Sequence, residues 1–204
     1  MKLWRYVIAT NNGTAPSYLP PALTLALCKP RIRAAAQPGD VVLAFAGAGI
    51  SRDPEAVVWA GVVTESLSFA QYWYDPRFAS KKVPPLGDNI YEPHPAEPSG
   101  HHQHSHAHHG PGSARTDLGG QRVLIFGGPA TWVFHDPFPS LPHEFGLSMG
   151  AARRNHQVGT IQPNEWAHLR AWLSGQPAHD VQPAFHVPFP TPIRRAAGRA
   201  ATNC

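Results

Sequence analysis

Only two cysteines, Cys28 and Cys204, occur among the 204 residues, too few for a disulfide framework or a cysteine-rich zinc site. Charge is scarce as well, at 15% of residues, against roughly 25% in ordinary soluble proteins. The hydrophobic share of 42% is nevertheless near the globular norm, which excludes wholesale disorder. No apolar run approaches the roughly 18–20 residues that span a bilayer. The opening Met1-Lys2-Leu3-Trp4-Arg5-Tyr6 has no apolar core of a secretory signal, so a cytoplasmic protein without membrane contact is expected. A Gly-x-Ser-x-Gly nucleophile elbow is missing, and neither cysteine has an activating motif in sequence.

What abounds is proline, 23 residues, and glycine, 18; such punctuation shortens regular elements and excludes a helical bundle. The length suits one domain, expected over residues 1–187, with a His/Pro/Gly-rich loop at 93–116 and a basic flexible tail at 188–204. The net charge is +4, but Arg194, Arg195 and Arg199 lie in that acid-free tail and the rest carries only +1. A body this neutral argues against a general coat on nucleic acid and leaves room for a local pocket.

Apolar and β-branched runs predict strands beginning near Leu3, Asp40, Ala56 and Gln121, with Gly127-Gly128-Pro129 turning the last one. Pro30 followed by good helix formers predicts a short helix ending before Pro38-Gly39. Phe69, Tyr72 and Trp73 share one helical face that must end by Pro76. Trp166, Leu169 and Leu173 predict a late helix with Asn164 as N-cap and Gly175 as its stop. This order, without regular βαβ alternation, predicts an α+β fold built on a small mixed sheet or barrel. Residues 94–113 and the tail have few apolar side chains and are expected to be dispensable for folding.

Four strings carry chemical signals. Gly47-Ala48-Gly49 follows a strand, but the third glycine of a dinucleotide-binding turn is missing and Arg52-Asp53-Pro54 comes instead, so no cofactor is expected. His135-Asp136 precedes Pro137, which favours extended backbone and disfavours a helical His-Asp metal pair. Seven histidines fall between His94 and His109. A proline- and glycine-flanked tract offers interchangeable positions, so no defined metal site is expected, only weak affinity through His101, His102, His104, His106, His108 and His109. Gly87-Asp88-Asn89-Ile90-Tyr91 has two readings. Asp88 and Asn89 supply the acceptors and donors that read a base edge; equally, they make an ordinary Asx turn anchored by Ile90 and Tyr91.

Asn11-Asn12-Gly13, Cys28-Lys29-Pro30-Arg31-Ile32-Arg33, Gly39-Asp40, Tyr72 with Asp75-Pro76-Arg77-Phe78, Lys81-Lys82 and Gly87-Asp88-Asn89-Ile90-Tyr91 occur in that order. Together they resemble the second family of nucleotide modification associated domains, over roughly Leu3 to Ala130. More loosely, the arrangement is similar to PUA-like folds of the EVE and ASCH kind. The resemblance implies a PUA-like mixed β-barrel with short flanking helices. It also implies a bacterial or phage protein that recognises modified nucleotides or bases in DNA or RNA. On that reading Asn11, Asn12, Asp88 and Asn89 face the base, Trp4 or Tyr91 stacks on it, and Lys29, Arg31 and Arg33 hold phosphate. The partner is then nucleic acid or a modified nucleotide, with protein partners open. The alternative is a transferase or hydrolase acting on modified nucleotides, with Asp88 as general base and His106 beside it. A protein-interaction module is the third reading.

Overall fold

A computed structural model describes residues 1–11, 13–83, 87–149 and 156–177. Asn12 and the expected basic tail lie outside them. Eight strands and four α-helices are set out among the described residues: β1 (Lys2–Ile8), β2 (Leu23–Leu25), α1 (Pro30–Ala35), β3 (Val41–Ala46), β4 (Val57–Ser68), α2 (Phe69–Tyr74), β5 (Tyr91–Pro93), β6 (His101–Gln103), α3 (Ala114–Leu118), β7 (Arg122–Val133), β8 (His156–Thr160) and α4 (Pro163–Gly175). Six strands form one mixed sheet in the order β2-β7-β4-β3-β1-β8, and β5 pairs with β6 in a separate hairpin. Within the large sheet β1 and β3 run parallel and the other pairs antiparallel.

The expected barrel is not what forms. β2 and β8 end the sheet at opposite sides and do not pair, so the sheet is open among the described residues. The reason lies in how its faces are covered. Val41 to Ala46 of β3 are all buried, as a strand must be when both sides of the sheet are packed. On one face Trp4, Tyr6, Val42, Ala44, Val58 and Phe126 meet Ile32 of α1. On the other Leu3, Val41, Leu43, Phe45 and Trp132 meet Leu169 and Leu173 of α4. A sheet sandwiched between helices has no interior to close around. A third cluster joins Phe69 and Tyr72 of α2 to Ile90, Tyr91, Val123 and Ile125.

Gly127-Gly128-Pro129 does not end a strand, because β7 runs on to Val133. Gly61 pairs with Thr131 and Val63 with Phe126, so the glycines are extra residues bulged out of the ladder, with Gly128 at φ +74°. α2 starts with a reciprocal Ser68–Gln71 capping box. In α4 the box is Gln162–Glu165 and Pro163 takes the first helical position, where its fixed φ fits; the expected cap, Asn164, therefore lies inside the helix. The segment expected as a loop at 93–116 holds the β5–β6 hairpin and the start of α3. His109 within it is 3% exposed, so residues 94–113 are not dispensable, and deleting them is expected to weaken the fold.

Gly87 shows why glycine stands before Asp88. A Cβ there would overlap the Lys81 carbonyl and stand 2.9 Å from the Val83 oxygen, whereas a Cβ at Gly159 would meet nothing within 4 Å. Gly87→Ala is therefore expected to cost about 3 kcal/mol or more, against less than about 0.5 kcal/mol for Gly159→Ala. Urea denaturation of the two variants checks this; equal midpoints would show that the loop relaxes freely.

Candidate functional site

The residues singled out in the sequence separate into a buried network and a basic rim. In the network Asp88 is 1% exposed and accepts from the Thr24 hydroxyl at 2.6 Å and the Tyr72 hydroxyl at 2.7 Å. Burial pushes its carboxyl up, while Lys81, Thr24 and Tyr72 pull it back down. The Lys81 ammonium is equally buried, 3.3 Å from the Ser17 hydroxyl oxygen and 3.4 Å from the Ser17 carbonyl. Desolvation lowers it to about 8, with Asp88 opposing. Asn89 donates through Nδ2 to the Tyr72 carbonyl at 3.0 Å, satisfying an acceptor in the last turn of α2. Glycine, aspartate and asparagine of the Gly-Asp-Asn-Ile-Tyr string thus all make contacts inside the protein.

A second buried group centres on Arg33 and Asp117, both fully buried. The guanidinium of Arg33 donates to the Cys28 and Arg122 carbonyls, each at 2.7 Å, and to the Asp117 carbonyl. Asp117 accepts from the Cys28 amide at 2.6 Å, the Tyr91 hydroxyl at 2.8 Å and Nδ1 of His109 at 2.9 Å. Burial lowers the Arg33 guanidinium to about 10 even though Asp117 supports its charge. The Cys28 sulfur, a His109 ring nitrogen and an Asp117 oxygen lie within 4.8 Å of one another. Because the Asp117 oxygens already take three donors, these groups serve as a hydrogen-bonded hub. His106 stands beside His109, ring centroids 5.1 Å apart. Its Nδ1 accepts from the His108 amide, so its neutral ring carries the proton on Nε2, a buried atom with no hydrogen-bond partner. Burial, then His109 and His108, push its pKa down to about 4. The structure keeps His106 in this group, while the hydrogen bonds of Asp88 go to Thr24 and Tyr72.

The rim forms where β1, β8 and the start of α1 meet. Cys28 and Lys29 both have left-handed backbone, at φ +54° and +44°, a conformation that costs about 1–3 kcal/mol per non-glycine residue. Asp117 and Arg33 hold it by gripping the Cys28 amide and carbonyl. The strained turn carries Lys29 back over the sheet, its Nζ 4.9 Å from the Tyr6 ring centroid and 3.3 Å from the Val7 carbonyl. Arg31 is exposed on α1. His156 of β8 lies opposite Tyr6 and stacks on Trp4, centroids 6.1 Å apart at 30°. Its pKa is lowered by burial, then by Arg31 and Lys29, which places both cations within its field.

Trp4 itself is 4% exposed and donates Nε1–H to Asp40, and Tyr91 is 1% exposed; neither presents an open ring face. Tyr6 accepts from Trp59 Nε1 at 3.0 Å, and the neighbouring Tyr18 hydroxyl reaches Asn11 Oδ1 at 3.5 Å. Of the expected phosphate ligands, Lys29 and Arg31 belong to the rim and Arg33 to the core. Local sequence gave no sign of His156 or Asp117, because their partners lie far away along the chain.

Among the described residues no helix is long and apolar enough to cross a membrane. A family model described as nucleotide modification associated domain 2 matches residues 1–189. That match runs well past the stretch from Leu3 to Ala130 that carries the motifs. No curated protein matches the chain, and no solved structure does.

Lys81 gives the network a measurable pH signature. Its folded value of about 8 lies below the ordinary 10.5, so between those values the unfolded chain binds more protons and stability rises with pH. Above about pH 10 the buried Tyr6, Tyr18, Tyr72 and Tyr91, all pushed up by desolvation, retain protons that the unfolded chain loses, and the trend reverses. Urea midpoints from pH 7.5 to 10 should climb in the parent protein and stay flatter in Lys81→Met. An unchanged slope in the variant would assign the titration to another group.

Proposed function

The chain belongs to the nucleotide modification associated domain 2 family, and from that premise we propose that it recognises a modified nucleotide or base within nucleic acid, using the rim formed by Lys29, Arg31 and His156. The observation that carries this reading is the convergence of two cations on a partly exposed imidazole backed by a buried indole. Phosphate contacts supply sequence-independent affinity, and a flat ring with a rigid backing offers a stacking surface for a base. Lys29 and Arg31 are the phosphate ligands on this reading and His156 the stacking ring. Asn11, whose Oδ1 accepts from Tyr18, is the side-chain amide that reads a base edge on this reading. Asp88 and Asn89, buried where β2 meets α2, hold the fold on this reading and leave contact with the base to the rim.

The family description ties the domain to nucleotide modification; binding is favoured over catalysis because the rim offers cations and a stacking ring. Titration of labelled oligonucleotides, with and without modified bases, tests the reading by fluorescence anisotropy. The parent protein is expected to prefer the modified oligonucleotide. Lys29→Ala with Arg31→Ala should weaken both complexes and reduce the slope of log K against log salt by about 1.4–1.8, the value for two lost phosphate contacts. His156→Ala should cost about 1–3 kcal/mol of binding. Equal affinity for modified and unmodified strands, or an unchanged salt slope in the double variant, would overturn it.

A further inference from the structure

The histidine tract is not one uniform segment. Its histidines divide between two environments, and the division follows from the β5–β6 hairpin. Register places Tyr91 opposite Gln103, Glu92 opposite His102 and Pro93 opposite His101. His101 turns its ring edge to buried Phe69, centroids 5.8 Å apart, and His109 bonds Asp117 in the core. His94, His102 and His104 gather instead outside the core with Glu92 and Glu97.

Within that outer group the ring centroids of His102 and His104 are 4.9 Å apart and those of His94 and His102 are 6.3 Å apart. Two imidazoles bound to one tetrahedral zinc ion, each with a Zn–N bond of about 2.0–2.1 Å, have centroids about 5 Å apart. The hairpin therefore already holds His102 and His104 near the required separation, with His94 somewhat farther out. The carboxylates add a second, independent feature. Glu92 Oε2 lies 2.8 Å from Nε2 of His104, and Glu97 Oε1 lies 3.5 Å from Nδ1 of His102. A carboxylate oxygen only accepts, so each contact sets the proton on the nitrogen it faces and leaves the lone pair on the other nitrogen. Metal-binding histidines are prepared in this way, with the distal N–H held by a carboxylate that fixes the tautomer and raises ligand basicity. His104 is further steadied by stacking on Trp73, centroids 5.0 Å apart at 15°.

We infer that the β5–β6 hairpin binds one divalent transition-metal cation, zinc above all, through His94, His102 and His104, with Glu92 and Glu97 orienting two of the three imidazoles. Neutral imidazoles suit zinc, nickel and copper better than magnesium or calcium. Three ligands leave a fourth position for water or for a group from outside the hairpin. The half-exposed rings of His102 and His104 have room to turn their free nitrogens onto a common ion. The ion would then tie β5 to β6 on the side away from Phe69. This inference does not rest on nucleotide recognition.

The test is titration of the chelator-treated full-length protein with zinc chloride, followed by calorimetry and by competition with a chromophoric zinc indicator. One ion per chain is expected in the tight phase. His102→Ala with His104→Ala should weaken that phase by about 100-fold or more, since loss of supporting residues alone costs about 10–100-fold. Glu92→Gln with Glu97→Gln should weaken it by about 10-fold. His106→Ala with His108→Ala, drawn from the same tract but from the other group, should leave it within about twofold. Circular dichroism of each variant separates lost binding from lost folding. Equal losses in the two histidine pairs, several equivalent weak ions, or no tight phase at all would overturn the inference and return the tract to a set of interchangeable histidines.

Discussion

The buried hydrogen-bonding pair of Arg33 and Asp117 is the constraint on which the arrangement depends. Five parts of the chain end on it: the turn before α1 through Cys28, α1 through Arg33 itself, β5 through Tyr91, the histidine tract through His109, and the start of β7 through the Arg122 carbonyl. An arginine and a carboxylate are tolerated at full burial only when their donors and acceptors are nearly all satisfied. Both conditions hold here, because the guanidinium has three carbonyls and the carboxylate three donors. Removing either side chain strands buried groups that bonded to it, at about 1–3 kcal/mol for each donor or acceptor left unsatisfied. Packing around the pair is tight as well: a Cβ on Gly120 would stand 2.5 Å from the Arg33 guanidinium carbon, which explains the Gly119-Gly120 pair before β7.

The pair also reaches the rim. Its two members hold the amide and the carbonyl of Cys28, and the strained backbone at Cys28 and Lys29 follows from that grip. Without it the turn would relax, and Lys29 would leave its place above Tyr6. A buried, fully bonded centre thus sets the position of an exposed cation, which is the division between supporting and contacting groups that a recognition site requires. The Asp88 cluster does the same for the opposite end of the third core cluster, tying β2 through Thr24 to α2 through Tyr72.

Histidine behaves differently on the two sides of one short hairpin. Inside, His109 is a structural donor and His106 is held neutral by burial. Outside, His102 and His104 face carboxylates and remain half-exposed. The residue type is constant and the chemistry changes, because solvation and the partner on the second nitrogen decide what each imidazole does.

The sequence by itself determined the strands from Leu3, Asp40, Ala56 and Gln121, the helix after Pro30, the aromatic face of α2 and the late helix. Each of these follows from local periodicity, proline placement and capping, which act over a few residues. The family was legible too, from short strings in a fixed order. Tertiary structure alone decided that the sheet stays open, since both of its faces are covered by helices that lie far apart in sequence. It alone sorted the three cations of Lys29-Pro30-Arg31-Ile32-Arg33: the six-residue helix turns Arg33 inward to three carbonyls and leaves Arg31 in solvent. Asp88, Asn89 and Tyr91 read equally as base-reading groups or as anchors until Thr24, Tyr72 and Asp117 were brought to them. Those partners stand 64, 16 or 17, and 26 residues away along the chain. A polar side chain's role depends on which donors and acceptors surround it, and only the folded chain brings them together.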